Sequence, residues 1–221
     1  MKTYQTPFLN REQAAELLAG ELMRYKNQNP ILIGVPRGAV PMTQKIAGLL
    51  DAEWDVVLVH KISSPFNSEY AIGAVSEEGS IYSPQQYELP LLGFDLKSWI
   101  KQEAETELQR LKSRRATIES YRRRVPLADR TVIMIDDGIA TGSTLIAAVR
   151  SIKEQSPARI IVAAPVASQS AVELFRHEGV ELVILNVPQS FYSVSQFYEE
   201  FPQVSDEQFI NIMKNSTDQA A

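Results

Sequence analysis

The chain has 221 residues, with 22 Lys and Arg against 27 Asp and Glu, giving a net charge of −5. It contains no cysteine and two histidines, which excludes disulfides, thiolate nucleophiles, cysteine zinc sites and iron–sulfur clusters and leaves little for a His-rich metal centre. That length favours one large domain with an ample core, and the mild acidity argues against a general nucleic-acid binder.

The first ten residues, MKTYQTPFLN, lack an apolar stretch, so no secretory signal is expected. Asn10-Arg-Glu-Gln13 has the form of a capping box and predicts a leading helix. Apolar, β-branched runs at 31–35, 56–60, 131–135, 159–166 and 181–187 predict strands. Helical patterns fill the gaps at 39–50, 96–121, 143–155 and 170–177, and Ser205-Asp-Glu-Gln208 predicts a closing helix. Continuous apolar strands separated by helices imply an α/β fold, doubly wound around a mainly parallel sheet. Residues 72–93, rich in Gly and Pro, predict a hairpin or lid insertion, with 76–95 as the lid candidate. The longest apolar stretch, 160–167, is far too short to span a bilayer, so a cytoplasmic protein is expected.

Ligands of open α/β sheets bind outside the carboxyl ends of the strands. The strongest candidate lies there, at Thr131-Val-Ile-Met-Ile-Asp-Asp-Gly-Ile-Ala-Thr-Gly-Ser-Thr144. An apolar strand delivers Asp136 and Asp137 to its tip, and a small-residue turn follows through Gly138, Ile139, Ala140, Thr141 and Gly142. Ser143 and Thr144 then open a helix, whose free N–H groups and neighbouring hydroxyls make an anion cradle suited to a phosphate. The carboxylates suit neighbouring hydroxyls of a sugar. The segment is neither a Walker A loop nor a GxGxxG turn. A second strand–turn–helix, Ile31-Leu-Ile-Gly-Val-Pro-Arg-Gly-Ala-Val-Pro41, sets Arg37 and Gly38 at a turn suited to a pyrophosphate. Val59-His60-Lys61 ends the run at 56–60.

The 131–144 segment resembles the 5-phosphoribosyl-1-pyrophosphate (PRPP) motif of type I phosphoribosyltransferases. The run Ser64-Pro-Phe-Asn-Ser-Glu-Tyr-Ala-Ile-Gly-Ala-Val75 resembles a branch of predicted bacterial members, extending the likeness over nearly the whole chain. The resemblance implies a core of about 28–187 and a hood built from about 1–27 and 188–221. It implies that Asp136 and Asp137 hold the ribose hydroxyls, that 138–144 grip the 5′-phosphate, and that Arg37, Gly38 and Lys61 meet the pyrophosphate. Mg²⁺ is implied as a cofactor held mainly by substrate oxygens, with no protein ligand assigned. Two positions depart from the family pattern. Ala39 stands where many members have a second glycine, and Ala140 where members acting on 6-oxopurines have an acid. The latter disfavours hypoxanthine and guanine as acceptors.

Residues 191–201 hold five of the chain's 18 aromatic residues. Most are expected to pack the hood, with Phe191 or Tyr192 turned toward an acceptor. The basic stretch 110–124 is read as a solvated helix or a subunit contact, supported by Glu119–Arg123 at i,i+4 spacing, which leaves a homodimer open. The functional expectation is transfer of phosphoribose from PRPP to an unidentified acceptor. The alternatives are a PRPP- or nucleotide-binding regulator without turnover, and a hydrolase or phosphorylase of a phosphoribosyl compound.

Overall fold

A computed structural model describes residues 6–84 and 95–215, with the backbone alone at 68–71. The chain divides into two compact units, one of residues 1–56, 121–142 and 156–221, the other of 57–120 and 143–155.

The first unit is built on five parallel strands: β1 (Pro30–Gly34), β2 (Glu53–Val56), β6 (Thr131–Ile135), β7 (Arg159–Val166) and β8 (Glu181–Asn186), in the order β2-β1-β6-β7-β8. Every residue of β1 and β6 is buried, which is why both read as unbroken apolar runs rather than alternating ones. Leu32 lies opposite Ile133, and Ile133 opposite Ile161, so the core runs straight through the middle of the sheet. Helices α1 (Arg11–Leu22) and α2 (Val40–Leu50) pack on each other, α2 against β1 and β2 and α1 against β7 and β8. Asn10 caps α1 by accepting from the Gln13 amide at 3.0 Å, while Gln13 Oε1 accepts from the Leu9 amide. Helix α5 (Gln169–His177) starts at Ser168, whose hydroxyl accepts from the Ala171 amide, and ends on Arg176 and His177, where the helix dipole favours cations.

Both chain ends of this unit meet. The Phe8 amide donates to Phe197 O, and the Glu199 amide returns to Phe8 O, both at 2.8 Å. A 3₁₀ turn at Val194–Phe197 is closed by Ser193 and Gln196. The last helix, α6 (Asp206–Asn215), carries the full predicted box. Ser205 Oγ accepts from the Gln208 amide at 3.1 Å, and Gln208 Oε1 accepts from the Ser205 amide at 2.9 Å.

The second unit is an antiparallel sheet, β3 (Val59–Ser64), β4 (Asn67–Ser76) and β5 (Ile81–Tyr82), with α3 (Leu96–Glu119) and α4 (Ser143–Lys153) packed on β3 and β4. Ile62, Ile72, Val75, Ile100 and Ile146 are among its buried residues. The hairpin expected around 72–93 is present as β4–β5. Of the candidate lid, residues 85–94 lie outside the described residues.

Two expectations need correction. The run at 56–60 is not one strand: Val56 ends β2 of the parallel sheet, and Val59 and His60 begin β3 of the antiparallel one. The break has a cause in hydrogen bonding. Asp55 Oδ1 accepts from the Val56 amide at 2.8 Å and Glu77 Oε1 from the Leu58 amide at 3.0 Å, so side chains take donors a continuous strand would need. Lys61 is accordingly the third residue of β3, opposite Ala74, rather than at the tip of a parallel strand. The Glu119–Arg123 helix pair also does not form, because α3 ends at Glu119.

Candidate functional site

Strands β1 and β6 are in register to their last residues, Gly34 opposite Ile135, and the Val35 amide still donates to Ile135 O. The turns that follow therefore leave the same end of the sheet side by side, which brings Gly38 to Asp137. The contact is close. A Cβ on Gly38 would lie 2.1 Å from Asp137 Oδ2, so only glycine lets the carboxylate settle on this backbone. The Pro36–Arg37 peptide is cis.

The two aspartates sit differently. Asp136 lies partly exposed at the strand tip, and its Oδ1 accepts from the Asp137 amide at 2.9 Å. Asp137 turns inward, its side chain 14% exposed, and meets Arg11 from the start of α1. Arg11 Nε and Nη2 both approach Asp137 Oδ2 at 2.8 Å. Burial pushes the Asp137 carboxyl above the usual aspartate range, and the Arg11 charge opposes that rise without cancelling it. Tyr198 donates its hydroxyl to Asp137 O at 2.6 Å, and burial pushes its phenol far upward, so it stays a neutral donor.

From Asp137 the chain turns through 138–142. Gly142 has φ +75°, a left-handed conformation that a side chain would strain, and its Cα faces Phe175 of α5. Ile139 is buried and bridges to Ala167, while Ala140 and Thr141 are exposed. Ser143 and Thr144 follow as the first residues of α4, in the second unit, where Thr144 Oγ1 is buried without a hydrogen-bond partner. Arg37 is exposed and pairs with Asp206 at 3.0 Å. Lys61 lies exposed on β3 of the second unit. Among the aromatics, Phe191 packs on Phe197 with ring centroids 5.0 Å apart, and Tyr192 is 89% exposed.

A model of the phosphoribosyl transferase domain matches residues 8–200. The chain belongs to the phosphoribosyl transferase family. This family member is 31% identical over 204 residues to two curated proteins of Mycobacterium tuberculosis, strains CDC 1551 and H37Rv, each named "Putative phosphoribosyl transferase". The match covers 92% of this chain and 45% of theirs, so the chain spans about half the length of the curated relatives it matches. Among solved structures it is similar to TT1426 from Thermus thermophilus, at 34% identity and a TM-score of 0.79, covering 97% of this chain and 99% of that chain.

Two residues at the site, Arg11 and Tyr198, escaped the sequence reading. One signal for Arg11 was present: a cation at the first position of a helix opposes the dipole, and so asks for a carboxylate partner elsewhere.

Proposed function

We propose that this protein transfers the 5-phosphoribosyl group of PRPP to an acceptor and releases pyrophosphate. The observation that carries the reading is segment 136–144: two carboxylates at a strand tip, a left-handed glycine turn, and a helix start with a buried, unpartnered Thr144 hydroxyl. In this reading the carboxylates accept from the ribose 2′- and 3′-hydroxyls. Residues 138–144 hold the 5′-phosphate as a fixed handle, so remote binding energy orients the anomeric carbon. The bond from that carbon to the pyrophosphate oxygen breaks, a bond to the acceptor forms, and the acceptor gives up a proton. The adjacent carboxylates favour the positive charge that develops on the sugar.

Arg37 and Gly38 are assigned to the pyrophosphate, together with Lys61. The Arg37–Asp206 pair is exposed and contributes only about 0–1 kcal/mol, so a polyanion displaces Asp206 at little cost. Among the described residues no three His, Asp or Glu side chains converge as a metal cage. In this reading Mg²⁺ is carried mainly on the substrate's own phosphate oxygens, where it would neutralise charge on the leaving group. Ala140 leaves the acceptor side without an acid at that position, which supports an acceptor other than a 6-oxopurine.

Thermal unfolding with Mg²⁺–PRPP tests the reading. At about 100-fold over its Kd the ligand adds about 2.7 kcal/mol, or roughly 5–10 °C at this length. The expected result is that shift in the wild type and its loss in the double variant Asp136→Asn/Asp137→Asn. No shift, or an equal one in the variant, refutes the site. Pyrophosphate release with a panel of bases then separates transfer from binding alone.

A further inference from the structure

The two aspartates of the motif are not equivalent, and the difference lies in what holds Asp137. Its carboxylate is packed on Gly38 and bound by the Arg11 guanidinium. Arg11 is itself fixed on three sides. Its Nη1 donates to Pro202 O at 2.6 Å, and its plane lies 3.7 Å over the Phe201 ring. Phe201 stacks on Tyr198 at 4.7 Å, and Tyr198 donates to Asp137 O. Tyr198 in turn packs on Phe8 at 5.7 Å. One guanidinium, 12% exposed, thus joins the end of β6 to both chain-terminal segments.

We propose that Arg11 is a positioning residue for the reaction: it fixes the Asp137 carboxylate in the orientation that meets the substrate's ribose. The assignment rests on the PRPP reading of the site. Arg11 is poorly placed to be a ligand contact itself, since Nε and Nη2 are spent on Asp137, Nη1 on Pro202 and one face on Phe201. A planar guanidinium can make these contacts together, whereas an ammonium keeps the charge and loses the stack and the second hydrogen bond. Asp136, at the strand tip, accepts from the Asp137 amide through its Oδ1.

The test is a double-mutant cycle in the affinity of the full chain for Mg²⁺–PRPP, read by calorimetry. Arg11→Met should weaken binding by about tenfold or more, the scale of a lost charge-assisted contact. Arg11→Lys should recover part of it. In an Asp137→Asn background Arg11→Met should cost little further, because its effect passes through that carboxylate. An Arg11→Met loss of the same size in both backgrounds, or no loss in the wild-type background, overturns the proposal. If Arg11→Met does not fold, Arg11→Gln, which keeps a donor without the charge, takes its place in the cycle. A wild-type chain that binds no Mg²⁺–PRPP overturns the PRPP reading, and this proposal with it. A wild type that binds and an Arg11 variant that binds equally well overturns this proposal alone.

Discussion

Asp137 carries a measurable consequence of its burial. Among the described residues the titratable and charged groups that face it are Arg11 from α1, Asp136 from the same turn, and Tyr198 from the C-terminal segment, and the Gly38 backbone of the β1–α2 turn packs against it. Desolvation dominates, so its carboxyl protonates at a higher pH than an ordinary aspartate. A protonated Asp137 no longer presents a full charge to ribose hydroxyls. Its contribution to PRPP affinity is therefore present above that raised value and lost as pH falls through it. The phosphates of PRPP titrate as well, but equally for any variant. The ratio of wild-type to Asp137→Asn affinity isolates the carboxylate. It should fall toward one on acidification, at a pH above the usual aspartate range, in calorimetric titrations across pH. A ratio constant down to about pH 4, near the ordinary aspartate value, would refute the placement.

At the scale of elements, α3 holds the least expected feature. Its basic stretch reads as a solvated face, yet Arg115 is buried at 6% exposure against Glu77, itself at 4%. Arg115 Nε and Nη2 bond the two carboxylate oxygens at 2.5 and 2.7 Å, and Glu77 Oε1 also takes the Leu58 amide. The pair thus clamps α3 to the open end of the β3–β4 hairpin, where Glu77 follows β4 and Leu58 precedes β3. Glu77→Gln leaves the guanidinium without its carboxylate and should cost about 3–5 kcal/mol in denaturant unfolding. Glu77→Gln/Arg115→Met should recover part of that loss, and a single-variant loss below about 1 kcal/mol would show that the clamp contributes little. Spacing did not disclose this pair, because the two residues are 38 positions apart and each looks like an ordinary surface charge. What was legible was local. Strands 131–135 and 159–166 show in their apolar runs because both faces are covered, and Asn10 and Ser205 show as caps because a cap is set within four residues. The split at Val57–Leu58 was hidden for the same reason as the clamp: Glu77 is distant in sequence, and it is Glu77 that takes the Leu58 amide.

For the whole molecule, a net charge of −5 first counts against a polyanionic ligand. The ion pairs show why that total is a poor guide. Lys45 is spent on Glu12 and Glu16, Arg130 on Glu53, Arg159 on Glu181 and Arg115 on Glu77. What matters to a phosphate is which cations remain available at the turns. Among the described residues Arg37 is held by an exposed pair with Asp206. Lys61, exposed on β3, has no carboxylate partner among the described residues. Its assignment to the pyrophosphate rests on the family resemblance, and it lies on an antiparallel strand of the second unit. Lys61→Met keeps the length of the side chain and removes the charge from an exposed strand position, so stability should stay within about 0.5 kcal/mol of wild type. If Lys61 meets the leaving group, affinity for Mg²⁺–PRPP should fall by roughly fivefold, the effect of one solvated charge on a polyanion, and the loss should shrink as salt is raised. Affinity for ribose 5-phosphate, which lacks the pyrophosphate, should not change. An equal loss for both ligands would move Lys61 to the 5′-phosphate, and no loss for either would return it to the surface.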